Sequence, residues 1–283
     1  MNAASDQVMD LIFGRWRSQV LSAGTELGVF DHLDNRTAKT AKTLAAELDA
    51  DPTLLYRLLR AQAAIGLVEE DGSSGFVLTD KGELLRSDHP QSLKPMARLE
   101  EGPQHYALWK HLPAMVRDGK QNAFVREFGR MAFDHARENR DYAKRFKQAM
   151  TSYSAGQSSL VLEALRGYEI SGIRTFCDVA GGYGHLMCAL LLANPGLRGI
   201  VLDLPEVVED AHELWATKLE LQQRCQYVAG DMFEAVPKAD AYSLKMILHD
   251  LNDAECVKIL SNVRKAATGT GTGLRYRARR ART

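Results

Sequence analysis

The chain has 283 residues, of which 45% are apolar and 25% charged. That is the balance of a globular protein with enough apolar side chains for about two domains. Lys+Arg and Asp+Glu both count 36, so no overall field steers the chain toward nucleic acid or an acidic membrane surface. No apolar run reaches the length of a membrane span, and the polar start MNAASDQ is no signal peptide. Cys177, Cys188, Cys225 and Cys256 lack C-x-x-C spacing, which predicts reduced thiols in a cytoplasmic protein and neither a disulfide frame nor a metal site.

In chain order, DLIFGRWRSQVLSAGTELGVFDHL places Ile12, Trp16, Val20, Ala23 and Leu27 at helical spacing, an apolar face that needs a partner. Next, TAKTLAAELDADPTLLYRLLRAQAAIGLV predicts a helix, a turn at 49–52 and a second helix. Asp51 is its N-cap, Pro52 its first residue, and Leu54, Leu55, Leu58, Leu59 and Ile65 supply core. GLVEEDGSSGFVLTDKGELL then gives two short strands around DGSSG, a hairpin. Helix, turn, helix, hairpin is the outline of a winged helix, which raises DNA binding. Between 41 and 90, however, five basic residues face nine acidic ones, and the wing begins EEDG. A DNA reader needs a basic footprint, so a structural or dimerisation role is the better reading.

From His105 to about Gly167 the pattern is helical again, with Phe146 and Met150 one turn apart on one face. The text then alternates. RTFCDVA, GIVLDLP, CQYVAGDMF and AYSLKMIL are four strand candidates with helical text between most of them, which predicts a parallel α/β sheet.

The first of these strands ends in DVAGGYGHL. Gly181, Gly182 and Gly184 fall where strand becomes helix, so backbone can approach a ligand that faces a helix N-terminus. Asp203 ends the second strand, 25 residues after Asp178, where a carboxylate can take both hydroxyls of a ribose. Asp231 and Met232 end the third, and SLKMILHD ends the fourth in Lys245, His249 and Asp250. A dinucleotide needs G-x-G-x-x-G, and here His185, Leu186 and Met187 follow Gly184 without the third glycine. S-adenosylmethionine carries no phosphate. It needs open backbone at its methionine end, an acid near its amino group and a ribose acid, which Gly181 to Gly184, Asp178 and Asp203 supply.

Over residues 11–267 the chain resembles the class I S-adenosylmethionine-dependent O-methyltransferases of the plant caffeate and animal acetylserotonin type, with bacterial relatives. The resemblance rests on SQVLSAGTELGVFDHL, DVAGGYG, VLDLPEVV, GDMFEAVPKADAYSLKMILHD and DAECVKILSNVRKA. It implies a homodimer swapped through its N-terminal helices and a Rossmann-like methyltransferase sheet. The α/β chain then divides into a winged-helix-like dimerisation domain at 1–100 and a methyltransferase domain at 101–267, with a helical acceptor region at 101–168 and the core at 169–267. By motif position, Gly181, Gly182 and Gly184 would line the methionine end, Asp203 would hold the ribose, Asp231 and Met232 the adenine, and Lys245 would lie against the cofactor. His249 would be the general base for a small aromatic hydroxyl, with Phe146, Met150 and Asp250 on the acceptor side. The bland rivals are ordinary core for Phe146 and Met150, and Asp250 or Asp253 as the N-cap of DAECVKILSNVRKA. A non-catalytic cofactor-binding or regulatory dimer is the alternative function.

The end departs from the family. Residues 268–283 read TGTGTGLRYRARRART, an acid-free tail carrying Arg275, Arg277, Arg279, Arg280 and Arg282. Such text is what GC-rich coding sequence gives out of frame, and a basic nucleic-acid arm is the alternative. On the frameshift reading the sheet lacks its last strands, AYSLKMIL becomes an exposed edge, and turnover is weak.

Overall fold

In the computed structural model, residues 3–165, 172–209, 212 and 214–268 are described. The chain opens with α1 (Ala3–Ile12) and α2 (Gly14–Leu27), so the predicted apolar helix is two helices broken at Phe13, ahead of the weak helix former Gly14. Leu11, Ile12, Trp16 and Leu27 are exposed. Gly28, at φ 79°, caps α2 by donating its N–H to the Gly24 carbonyl, and α3 (Val29–His32) follows.

The winged-helix outline is β1 (Lys39–Thr40), α4 (Ala41–Leu48), α5 (Pro52–Ala64), β2 (Val68–Glu70), β3 (Gly75–Leu78) and α6 (Asp80–Glu83). Asp51 caps α5, its Oδ1 accepting from the Leu54 N–H at 2.8 Å. In the hairpin turn Asp71 Oδ1 accepts from the N–H groups of Ser73 and Gly75, both at 2.8 Å, and the antiparallel sheet runs β1-β3-β2. Val29, Phe30, Leu44, Leu59 and Phe76 form its core. Leu54 does not belong to that core. The buried stripe of α5 is Leu55, Leu59 and Gln62, which turns Leu54 to solvent at 63% exposure.

A helical stretch follows: α7 (Lys94–Glu100), α8 (Pro103–Leu108), a 3-10 turn (Trp109–His111), α9 (Leu112–Asp118), α10 (Ala123–Phe128), α11 (Ala132–Glu138) and α12 (Arg140–Leu165). Leu99, Tyr142 and Ala149 are its buried centre, with Phe146 and Met150 half-buried against them. The chain divides into two units, 1–153 and 154–283, and the division falls within α12.

The second unit contains β4 (Thr175–Val179), α13 (His185–Ala193), β5 (Arg198–Asp203), α14 (Pro205–Val208), α15 (Trp215–Lys218), β6 (Cys225–Ala229), β7 (Ala241–Ser243) and α16 (Asp253–Ala266). Its four strands are all parallel in the order β6-β5-β4-β7. One core cluster gathers Leu186, Met187, Leu190 and Val201, and another Cys177, Val179, Leu202 and Val263. This is the Rossmann-like sheet expected.

β7 is shorter than AYSLKMIL promised. It is an edge strand of the described sheet and pairs only with β4, ending at Asp178↔Ser243. Beyond Val179 the neighbour turns into the glycine loop, with Ala180 at φ 53°, so little backbone remains for residues past Ser243 to pair with. Lys245 and Met246 make a turn, with Met246 at φ 60°, and 248–250 is a 3-10 turn. The cap of α16 is Asn252, reciprocated by Glu255 in a capping box, and neither Asp250 nor Asp253. After α16, Ala267 bridges Ala239 in parallel. Past Thr268 the arginine-rich tail, and the frame change read from it, lie outside the described residues. Among the described residues no helix is long and apolar enough to cross a membrane.

Candidate active site

The site is built where β4, β5 and β7 end. β4 delivers Asp178 into the interior, 1% exposed, where Ser243 of the adjacent β7 donates to its Oδ1 at 2.5 Å. Burial pushes the Asp178 carboxyl up to about 6, the Ser243 bond and the Lys245 charge pulling the other way. A Cβ at Gly181 would stand 2.7 Å from Asp178 Oδ2, which is why that position has none. A Cβ at Gly184, φ 80°, would meet the Tyr227 hydroxyl at 2.4 Å. Tyr227, reaching over from β6, donates to the Tyr183 carbonyl at 2.8 Å and braces the loop. Gly182 differs: at φ 59° it has nothing within 4 Å of where a Cβ would be, an open face of backbone.

Asp203 at the tip of β5 closes the loop's other side. Its Oδ2 accepts the Gly182 N–H at 2.7 Å and its Oδ1 the Leu204 N–H at 2.8 Å. Burial raises its carboxyl above the usual range against those two bonds. Each oxygen still has a second lone pair, so the carboxylate can accept two more hydrogen bonds. The Gly230 N–H donates to the Asp203 carbonyl at 3.0 Å, carrying the chain from β6 to Asp231 and Met232. Asp231 is exposed and its Oδ1 accepts the Phe233 N–H at 2.8 Å; Met232 packs on the second core cluster. Asn262 of α16 steadies this segment through the Met232 and Phe233 carbonyls, at 3.1 and 3.0 Å.

Lys245 is half-buried and donates to Ser154 Oγ on α12 at 2.9 Å. Burial lowers its ammonium below the usual lysine range, and Asp178 opposes that shift. His249 Nε2 stands 3.2 Å from Asp250 Oδ1, with the two side chains 50% and 70% exposed. Phe146 and Met150 belong to the other unit. Sequence reasoning missed Ser243, Tyr227, Ser154, Ser158 and His185. Only Ser243 left a readable trace, as a hydroxyl inside apolar strand text.

These residues fit an adenosyl methyl donor. The open backbone at Gly182 is room for a ligand, and an acid with two spare lone pairs suits a pair of vicinal hydroxyls. Comparison with known proteins agrees. The O-methyltransferase domain matches residues 109–274, and the O-methyltransferase dimerisation domain residues 9–88. The chain belongs to the O-methyltransferase family. O-demethylpuromycin-O-methyltransferase of Streptomyces alboniger is 36% identical over 267 residues, 93% of this chain and 69% of that protein. The phenazine O-methyltransferase PhzM of Lysobacter antibioticus is 33% identical over 268 residues, 94% of this chain and 76% of that one. The crystal structure of human N-acetylserotonin methyltransferase with S-adenosylmethionine superposes with a TM-score of 0.81 at 28% identity, covering 95% of this chain and 78% of that one. This O-methyltransferase is S-adenosylmethionine-dependent, the cofactor being that of the family.

Proposed function

We propose that this O-methyltransferase methylates the hydroxyl of a small aromatic acceptor, as a homodimer, with His249 as general base. The observation that carries the reading is the joining of Gly182 to Asp203 beside buried Asp178, on the sheet edge from which His249 also emerges. S-adenosylmethionine, when bound, supplies an electrophilic sulfonium methyl, so the chain itself must align the acceptor and remove its proton, and the scheme calls for no metal. Asp203 holds the ribose hydroxyls, Gly181, Gly182 and Gly184 line the methionine end, Asp231 and Met232 border the adenine, and Lys245 lies against the cofactor. Phe146, Met150 and Asp250 serve the acceptor.

A phenol has a pKa near ~10 and an imidazole near ~6.5, so a neutral imidazole takes the proton as the methyl departs. With Asp250 facing Nε2, the nitrogen left to accept it is Nδ1. The aromatic class draws on relatives such as the phenazine enzyme. The homodimer reading draws on the dimerisation domain and on the exposed Leu11, Ile12, Trp16 and Leu27. We further propose that turnover is slow. His249 is half exposed and its charged neighbour is an exposed residue of the same turn, so the ring is poorly fixed.

The test is incubation of the chain with S-adenosylmethionine and a panel of monocyclic and fused phenols, with mass spectrometry for the methyl ether. A methyl ether that disappears in His249→Ala supports the reading. Methylation at nitrogen or carbon only, or undiminished activity in His249→Ala, contradicts it.

A further inference from the structure

His185 is a titratable side chain that the mechanism above does not use. It is the first residue of α13, directly after Gly184. Its Nδ1 lies 2.9 Å from Ser158 Oγ, and its ring meets Trp215 edge-on at 4.6 Å and 84°. Ser158 is 2% exposed and its hydroxyl donates to the Ser154 carbonyl at 2.7 Å. A hydroxyl has one proton. With that proton on the Ser154 carbonyl, Ser158 can only accept from His185, so Nδ1 carries the hydrogen and Nε2 is a bare lone pair. Nε2 has no partner among the described residues.

Two forces keep the ring neutral: burial, and the positive charge of Lys245. Lys245 is itself tied to Ser154, so successive turns of α12 anchor the ammonium and the imidazole together. A neutral ring whose one N–H is committed can only accept. It therefore suits a proton-bearing cation and offers nothing to a carboxylate.

We infer that His185 Nε2 receives a hydrogen bond from the α-ammonium of the bound methyl donor, an inference that rests on the cofactor reading above. His185 is then a positioning residue that reads the amino-acid end of the cofactor, while Asp203 reads the ribose. Asp178, whose charge reaches the same Lys245 that reaches His185, supplies negative charge nearby, and the imidazole supplies direction.

The experiment is calorimetric titration of wild type, His185→Asn and His185→Leu with two ligands, S-adenosylhomocysteine and 5′-methylthioadenosine. The second lacks the amino-acid end. Asparagine can still donate to Ser158 and so preserves the anchor while removing the Nε2 lone pair. Both variants are expected to lose about ten-fold or more for S-adenosylhomocysteine, the worth of one charge-assisted hydrogen bond, and to keep wild-type affinity for 5′-methylthioadenosine. Equal loss for both ligands in His185→Asn would make the residue a prop for the glycine loop and overturn the inference. So would unchanged affinity for both. If wild type binds 5′-methylthioadenosine and S-adenosylhomocysteine equally, the inference falls while the cofactor reading stands. If wild type binds neither, both fall.

Discussion

The Gly182 N–H donates to Asp203 Oδ2 at 2.7 Å, so the glycine loop of β4 and the tip of β5 are one structure. Asp203, proposed above to hold the ribose, thereby also shapes the glycine loop, and the Leu204 N–H fixes its other oxygen.

Asp203→Asn should therefore weaken cofactor more than it disturbs the fold. Asparagine keeps one acceptor oxygen and replaces the other with a donor. The expected loss is ~10–100-fold in affinity for S-adenosylhomocysteine, from ~1.5–3 kcal/mol per hydrogen bond to a charged group. Calorimetry measures it, and circular dichroism should show the folded sheet retained.

Asp178 gives a stability prediction with a definite sign. Its folded carboxyl is raised to about 6 from an ordinary 3.8, so between those values the folded chain holds a proton that the unfolded chain has lost. The contribution of Asp178 to stability is thus greatest below about pH 3.8 and declines as pH rises toward about 6, on the order of 3 kcal/mol in all. Asp178→Asn should raise the melting temperature of the ligand-free chain at pH 7.5, and the advantage should shrink in acid. A pH series of thermal melts reads both.

His249→Ala should lower turnover by ~10²–10⁴-fold, the usual range for a lost general base, with cofactor affinity unchanged. Single-turnover kinetics at saturating S-adenosylmethionine separates the chemical step from binding. A fall in affinity with the chemical step intact would place His249 in the cofactor site and not at the acceptor.

Trp16→Glu should dissociate the dimer. Trp16 is 59% exposed on α2, and Leu11 and Ile12 at the end of α1 are uncovered as well. Burying such side chains is worth ~1.5–3 kcal/mol each, so a charge at that position should weaken association by ~10-fold or more. Sedimentation velocity across a concentration series distinguishes monomer from dimer.

Much of this was legible in the residues. Asp51 and Pro52 announced α5, DGSSG announced the hairpin, and Asp203 marked the end of β5, because caps, turns and strand termini are local events. What stayed hidden was non-local. Leu54 shares the apolar character of Leu55 and Leu59, and only the direction of the helix stripe decides that it faces out. β7 stops at Ser243 because its neighbour turns away, which no property of SLKMIL records. Asn252 outcompeted two aspartates as the cap because Glu255 stands where it can answer. Ser154 and Ser158 lie in helical text that carries no sign of the Lys245 and His185 side chains they bond.

The central claim is an adenosyl site assembled from Asp178, the glycine loop and Asp203, and calorimetric titration of the purified 283-residue chain with S-adenosylhomocysteine tests it most directly. The account predicts saturable binding that Asp203→Asn weakens. A folded chain that shows no heat of binding and no rise in melting temperature with S-adenosylhomocysteine would contradict it.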